Sequence, residues 1–407
     1  MSHFEELIPG AFHYFERFKE LDETDLEIIF TMAKECPDGP RNVRKIARKL
    51  VLPQQTVNYR VLRFDAKDLV MFCAIINESL LGLANYVVIA TVKPGLLYEN
   101  KKGRAVNAGT FLTCYPVWRQ LEEIHGGSTH GFFAQYSIPH KKENDLKLFL
   151  DELKKIGCIM KVNEFCRVTQ SYPNIPSLAV FLGIRKAVSR GQPISFNWEK
   201  WADDFDKAEE ATLPDETTER TRKISFSYED LLLLFHLERN LRGKFVDIAK
   251  LVGEPSTKVA RRYKEILRNH LITRCRVDIC PVEPTSAIHL LLKLDFANAT
   301  ALRKFVSHLN EIPYQATYQK VAQKDSLFLH TMIPSPEYFD FHNTFEALNR
   351  RQGIIRDISL YISHIYAKFD NIELFEAFSQ KDDKWAFSID VMRKALNRLL
   401  KDTKFQF

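Results

Sequence analysis

The sequence NVRKIARKLVLPQQTVNYRVLRFDAKDLV occupies residues 42–70. A similar sequence, KFVDIAKLVGEPSTKVARRYKEILRNHLI, occupies residues 244–272, which is 202 positions later. Apolar residues and a proline occupy equivalent places in the two stretches, without a gap. Two further blocks keep the same order, 86–95 matching 288–297 and 126–139 matching 321–334. The chain therefore contains two copies of one unit, a first over about 21–211 and a second over about 225–407.

Each repeated stretch has the spacing of short helices joined by tight turns. In the first copy Asp22 is a helix N-cap, and Val57, Val61 and Phe64 form an inward stripe at helical spacing. In the second copy Val259, Tyr263 and Ile266 form the matching stripe. Three helices, the last two separated by a few residues, are typical of a helix-turn-helix, and LVMFCAII follows in an extended pattern where a wing would lie.

Both copies continue with alternating strand and helix patterns. In the first, YVVIATV predicts a strand, FLTCYPVWRQLEEI a helix, FFAQYSI a strand, ENDLKLFLDELKKIG a helix and CIMKVNEFCRV a strand. The predicted fold class is α+β, with two tandem copies of a winged helix-turn-helix domain followed by a ferredoxin-like α/β sandwich. The predicted boundaries are 1–20 for an N-terminal helix, 21–75 for the first winged domain, 80–170 for the first sandwich, 171–224 for tail helices and an acidic linker, 225–280 for the second winged domain, 285–365 for the second sandwich and 366–407 for a C-terminal tail.

Composition limits the class of protein. The chain has 407 residues, of which 45% are hydrophobic and 27% charged, enough for several packed cores. No run of about 18 apolar residues occurs, which predicts that the protein does not enter a membrane. Seven cysteines, an odd number without a C-x-x-C pair, predict neither a disulfide framework nor a cysteine-rich zinc module. We therefore expect a reduced, cytoplasmic protein.

The stretch TVNYRVLRF (56–64), with IARKLVLPQ before it and LDETDLEII opening the unit, closely resembles the recognition-helix region of the leucine-responsive/AsnC family of transcription regulators. The later blocks resemble the effector-binding, dimer-forming sandwich of that family. The resemblance covers roughly 300 residues. It implies a DNA-binding regulator whose sandwiches pair into dimers and in some members bind amino acids. The tandem arrangement departs from the usual family form and resembles a covalently fused dimer.

Charge is concentrated on the two predicted recognition regions. Residues 41–67 hold eight basic residues and one acid, and 242–268 hold eight basic residues and three acids, so the rest of the chain is net −6. That distribution is the one expected if these faces meet phosphates. Gln54, Gln55, Asn58 and Tyr59 face outward near a helix start, and Asn and Gln pair with adenine, which favours an A·T-containing site. The predicted DNA-contacting residues are Arg44, Lys45, Arg48, Gln54, Gln55, Asn58, Tyr59, Arg60, Arg63, Lys244, Ser256, Thr257, Lys258, Arg261, Arg262 and Lys264.

The family resemblance also implies an effector loop, where a glycine is followed a few residues later by an aspartate. The first copy has Gly127 but His130 at that place, and the second keeps Asp325 but has Ala322 for the glycine. Neither loop is complete, so any effector is unknown. His125 and His130 lack a second cluster of ligands nearby in sequence and are interpreted as loop histidines. No metal site and no cofactor is predicted, because phosphate-cradling and H-E-x-x-H motifs are absent from the sequence.

Three functions stay open from the sequence. The preferred one is a non-enzymatic transcription regulator that binds double-stranded DNA, acting as a homodimer through its sandwiches. The second is an enzyme similar to the siroheme decarboxylases, which resemble this family in fold. Their His-Asn-Tyr-x-Arg run does not occur here. The third is a protein-interaction module that has kept the fold without contacting DNA.

Overall fold

The computed structural model describes residues 17–93, 98–100, 105–127, 129–174, 176–192, 195–213, 224–279, 286–350, 353–370, 374–382 and 384–404. Most of the predicted N-terminal helix (1–20) lies outside these residues, as does most of the predicted linker at 212–224. Phe18, at the edge of the described chain, is fully buried.

Helices and strands are numbered here in chain order. The first half contains α1 (Glu23–Lys34), α2 (Val43–Leu50), α3 (Gln54–Lys67), β1 (Met71–Ile76), β2 (Leu83–Thr91), β3 (Tyr98–Asn100), β4 (Ala105–Val106), α4 (Ala108–Leu112), β5 (Trp118–Gly126), β6 (Thr129–Pro139), α5 (Glu143–Lys155), β7 (Lys161–Val168), β8 (Tyr172–Pro173), α6 (Leu178–Ser189) and α7 (Trp198–Asp203). The second half contains α8 (Tyr228–Arg239), α9 (Phe245–Val252), α10 (Ser256–Arg268), β9 (Ile272–Asp278), β10 (Ala287–Phe296), α11 (Ala299–His308), β11 (Ala316–Lys320), β12 (Ser326–Pro334), α12 (Tyr338–Arg350), β13 (Ile355–Asp370), β14 (Phe378–Ser379), β15 (Lys384–Trp385), α13 (Ile389–Asp402) and β16 (Thr403–Lys404).

Helices α1–α3 form trihelical unit 1, and α8–α10 form trihelical unit 2. Asp22 caps α1 in a reciprocal arrangement with Asp25, in which each carboxylate accepts the other residue's backbone N–H. Ser227 and Asp230 repeat that arrangement at the start of α8. The predicted inward stripes of α3 and α10 are confirmed, since all six side chains are buried.

The fold is α+β and contains a large antiparallel sheet of nine strands in the order β7-β2-β6-β5-β13-β10-β12-β11-β8. Five strands of the first copy and four of the second share this sheet, and the copies meet where β5 pairs with β13 and where β8 pairs with β11. The far strands also approach each other, because Val168 at the end of β7 bridges to Val321. The sheet thus curves so that an apolar cluster including Ile89, Phe133 and Leu291 lies between its two halves.

One predicted helix of the first sandwich is wrong. Residues 111–124 were expected to be helical, but only α4 is helical there, and 118–126 form strand β5. In the second copy the equivalent helix α11 is present at ten residues. The middle of β5 is covered on both faces, since Gln120, Leu121 and Glu122 are all buried. The local sequence therefore lacks the alternation of a strand with one solvent-exposed face.

The tail segments cover the outer faces of the helical layers. Helix α6 packs on α1, where the rings of Phe181 and Phe30 lie 4.7 Å apart. Helix α13 packs on α5, and Arg393 Nε donates to Glu152 Oε1 at 2.6 Å. None of the described helices has the length and apolar character needed to cross a membrane.

Candidate functional site

The two trihelical units are joined through the strands that follow them. β1 and β9 form a two-stranded antiparallel sheet in which Cys73 is opposite Arg276 and Ala74 is opposite Cys275. Residues at equivalent positions of the two copies have numbers that differ by 202, so Cys73 is equivalent to Cys275 and Ala74 to Arg276. Exchanging the two copies therefore turns each of these residue pairs into the other. The pairing therefore has a local two-fold axis, as in a symmetric dimer, and the predicted wing strands pair with each other across it.

Two arginines cross the same interface in a reciprocal manner. Arg41 Nη2 donates to the carbonyl of Gly243 at 2.6 Å, and Arg242 Nη1 donates to the carbonyl of Pro40. Arg242 also forms a two-pronged ion pair with Asp65 of α3, at 2.9 and 2.7 Å. The Arg41 guanidinium lies over the Phe245 ring at 4.2 Å, and burial lowers its pKa. These contacts fix α3 relative to unit 2.

The outward face of α3 is open. Gln54, Gln55, Asn58 and Tyr59 are all exposed, and the Tyr59 side chain is 70% accessible. Leu62 continues the same face at 56% exposure, with no apolar partner element covering it. This is where the sequence places base-contacting residues, at the N-terminal part of a helix that ends a trihelical unit.

The outward face of α10 is open as well, with a more basic set of side chains. Thr257, Lys258, Arg261 and Lys264 are exposed, whereas Ser256 is half-buried. Lys258 is drawn to Glu254, with Nζ 2.6 Å from Oε1. The two outward faces thus differ in chemistry, amides and an aromatic ring on α3 and cations on α10.

Two of the predicted DNA-contacting arginines of α3 are engaged inside unit 1. Arg60 Nη1 donates to Asp22 Oδ2 at 2.6 Å and to Asp25 Oδ1 at 2.7 Å, and Arg63 donates to the other oxygen of Asp25. Asp25 is fully buried, so its charge depends on these two partners. Although Arg60 is a predicted DNA contact, its guanidinium is bound in this structure by Asp22 and Asp25 of the first helix and its cap.

Arg262 of α10 occupies the equivalent position, and its partner Asp230 is the counterpart of Asp25, whereas its partner Glu254 has no counterpart in unit 1. Its Nε donates to Glu254 Oε2 at 2.9 Å and its Nη1 to Asp230 Oδ1 at 2.7 Å. The hydrogen bond to Glu254 raises the pKa of Arg262, and the same bond lowers the pKa of Glu254 to about 2. Both copies therefore use this arginine to tie the third helix to the first.

The remaining cations divide into paired and unpaired groups. Lys45 and Lys49 both contact Glu35, whose pKa is lowered by Lys49 first and Lys45 second. Residues 20–70 contain nine basic and nine acidic residues, so the net charge of unit 1 with its flanking residues is zero. The excess predicted for 41–67 is largely matched by acids on α1 and directly beside its two ends. Within the described chain, the exposed cations of 41–67 and 242–268 that have no ion-pair partner are Arg44, Arg48, Lys244, Lys264 and Arg268.

A polar cavity of about 180 Å³ lies where the trihelical units meet the sheet. Arg119 of β5 lies on its wall between two carboxylates, with Nε 2.9 Å from Glu78 and a second contact to Glu238 of α8. Burial raises the pKa of Glu238, and the nearby Arg119 only partly offsets this. Arg276 of β9 lines the same cavity. The residues that line the cavity come from segments far apart along the chain, so no local sequence pattern reveals this site.

The residues of the predicted effector loops lie at two hairpin turns. Gly127 turns the β5–β6 hairpin with φ +55°, and His130 follows it on β6. Asp325 precedes β12, where its carbonyl accepts the backbone N–H of Phe296 at 2.7 Å. The interpretation of His125 and His130 as isolated loop histidines needs correction. The rings lie together, with Nδ1 atoms 2.8 Å apart, and Glu123 is beside both.

No protein-family model and no curated protein matches this chain. Among solved structures it is similar to the siroheme decarboxylase NirDL, with 11% sequence identity and a TM-score of 0.49, covering 93% of this chain and 100% of that one. The same enzyme in complex with an iron-uroporphyrin III analogue gives 10% identity and a TM-score of 0.48, with the same coverage. The expectation that this protein is not an enzyme is contradicted by these matches, since both are structures of an enzyme. At this identity the likeness concerns the fold and not the substrate.

Proposed function

We propose that the two trihelical units are helix-turn-helix units and that the chain binds double-stranded DNA through the outward faces of α3 and α10. The observation that carries this proposal is the two-fold pairing of β1 with β9, combined with open outer faces on both third helices. A two-fold pair of recognition helices suits two successive half-sites on one face of a duplex. Because the two faces differ, we expect two unlike half-sites.

A selection from a random duplex library, followed by fluorescence anisotropy on the recovered sequence, tests this proposal. Asn58→Ala should weaken binding by about 1 kcal/mol or more and relax the base preference at one position of one half-site. Lys264→Ala should weaken binding to all sequences alike. The matched control is Lys394→Ala on α13, an exposed lysine outside both units. Failure to enrich any sequence, together with equal weak binding by all three variants, would contradict the proposal.

A second candidate is an enzyme, and the polar cavity favours it. A buried carboxyl group with a raised pKa beside two arginines suits a reaction that binds a carboxylate and supplies a proton. Decarboxylation, the reaction named for the NirDL neighbours, is of that kind. Arg119 is, however, already paired with Glu78 and Glu238, so it is not free to bind the carboxylate of a substrate. The geometry therefore favours DNA binding over siroheme decarboxylation.

Incubation with siroheme tests the second candidate. Loss of carbon dioxide from the macrocycle, followed by mass spectrometry and abolished by Glu238→Gln, would support it. An unchanged siroheme mass at a protein concentration that binds the pigment, read from its absorption spectrum, would exclude it. Asp151→Asn, on the exposed side of α5, is the control for loss of a carboxylate elsewhere.

A further inference from the structure

Three potential metal ligands converge on the β5–β6 hairpin. Glu123 and His125 are two residues apart on β5, so strand alternation directs them to the same face. His130 on β6 is directly opposite His125 in the antiparallel register. The three donor groups therefore meet because of strand geometry, on the face of the sheet that also carries Leu121 and Phe132.

The distances among their donor atoms are close to those of a coordination sphere. The Nδ1 atoms of His125 and His130 are 2.8 Å apart, and Glu123 Oε1 is 3.7 Å from Nε2 of His125 and 4.0 Å from Nε2 of His130. Ligands bound about 2.0–2.1 Å from a tetrahedral zinc ion lie roughly 3.3 Å from one another. With one donor atom taken from each residue, all three atoms lie within 4.8 Å of one another.

The backbone under the cluster is closely packed and the cluster itself is accessible to solvent. Gly126, between the ligand strands, has no room for a side chain, since a Cβ there would lie 2.3 Å from the carbonyl oxygen of Leu360 on β13. The side chains of Glu123, His125 and His130 remain 30, 41 and 29% exposed. An ion can thus enter from solvent, and room is left for a fourth ligand.

The charges suit a cation. In the described part of the chain, Glu123 has no ion-pair partner apart from the two histidines. Two imidazoles and one carboxylate are a ligand set of zinc sites that keep an open fourth position, and of related first-row metals. We propose that Glu123, His125 and His130 bind one divalent transition-metal ion of the zinc class, with its fourth position open to water or a small ligand.

The second copy supplies an internal comparison. At the shift of 195 that aligns the two hairpins, Tyr318, Lys320 and Asp325 stand where the first copy has Glu123, His125 and His130. A tyrosine and a lysine in these places do not make a zinc site. The proposal therefore predicts one ion per 407-residue chain. It is independent of DNA binding, because the ligands belong to the sheet and not to the trihelical units.

Titration of the full-length, chelator-treated protein with Co²⁺ and then Zn²⁺ tests the proposal. We expect one Co²⁺ per chain, with the visible absorption of a tetrahedral site, displaced by Zn²⁺. Glu123→Gln, His125→Gln and His130→Gln should each weaken binding by more than the roughly tenfold to hundredfold that loss of an outer-shell partner costs. His342→Gln, which removes a histidine from α12, should leave the affinity unchanged.

A measurement on the unaltered chain covers the case in which a variant does not fold. Zn²⁺ should protect His125 and His130 from diethylpyrocarbonate, as read by peptide mass spectrometry, while His342 reacts as before. Absence of stoichiometric binding, loss of affinity in His342→Gln equal to that of the ligand variants, or unprotected His125 and His130 would each overturn the site.

Discussion

Salt dependence is the sharpest test of the proposed DNA binding, and the ion pairs of the two units set its expected magnitude. Each phosphate neutralised by a protein cation contributes about −0.9 to the slope of log K against log salt. Five exposed, unpaired cations predict a slope of about −4.5 and an affinity loss of about 500-fold between 50 and 200 mM NaCl. If all ten basic residues among the predicted contacts were available, the slope would be about −9 and the loss above 10⁵-fold.

Fluorescence anisotropy with a labelled duplex, repeated across that salt range, measures the slope directly. Arg48→Ala removes one available cation and should reduce the slope to about −3.6, a loss of about 150-fold over the same range. Arg60→Gln should leave the slope unchanged, because Arg60 is held by Asp22 and Asp25. A slope near −9, or one that Arg60→Gln reduces as much as Arg48→Ala does, would refute the assignment of these arginines to internal pairs.

Three further predictions concern stability, each measured by urea unfolding. Arg60→Ala should lower the free energy of unfolding by about 2 kcal/mol, because it removes a charged hydrogen bond from fully buried Asp25; wild-type stability would contradict this. Val51→Gly should raise stability by about 1 kcal/mol, because Val51 ends α2 at φ +55°, where a β-branched residue is strained, and a loss of stability would show that the strain is absent. The bond from Arg262 lowers the pKa of Glu254 from 4.5 to about 2. The ionised Glu254 therefore contributes fully to the free energy of unfolding above pH 4.5, and this contribution is lost as the pH falls towards 2. Glu254→Gln should be less stable than wild type at pH 6 but differ much less from it at pH 2.

The sequence predicts secondary structure correctly wherever one face of a helix or strand is exposed to solvent and the other is buried. The helices of both trihelical units follow this rule, and their stripes, such as Val57, Val61 and Phe64, were predicted correctly. Strand β5 does not follow it, because one face packs under helices and the other faces the opposite half of the sheet. Gln120 and Glu122 are polar residues inside that second contact, and nothing in their neighbourhood along the chain indicates it.

The candidate sites depended on partners that are far apart in the sequence. Counting charge over 41–67 missed the carboxylates of α1, because Asp25 lies 35 residues from Arg60. The histidine cluster was missed for a different reason. The cluster consists of a glutamate and a histidine two residues apart, followed by a second histidine after a glycine turn. These three residues meet only if the segment forms a hairpin of two strands, whereas the sequence predicts a helix over 111–124.

Pairing of the two units inside one polypeptide has a consequence for behaviour at low abundance. A pair built from separate subunits comes apart on dilution, whereas here β1 meets β9 at a local concentration set by the chain itself. The two halves are also free to diverge, since a change in one is not repeated in the other. The histidine hairpin of the first half and the cation-rich α10 of the second are differences that identical subunits would be unable to carry separately.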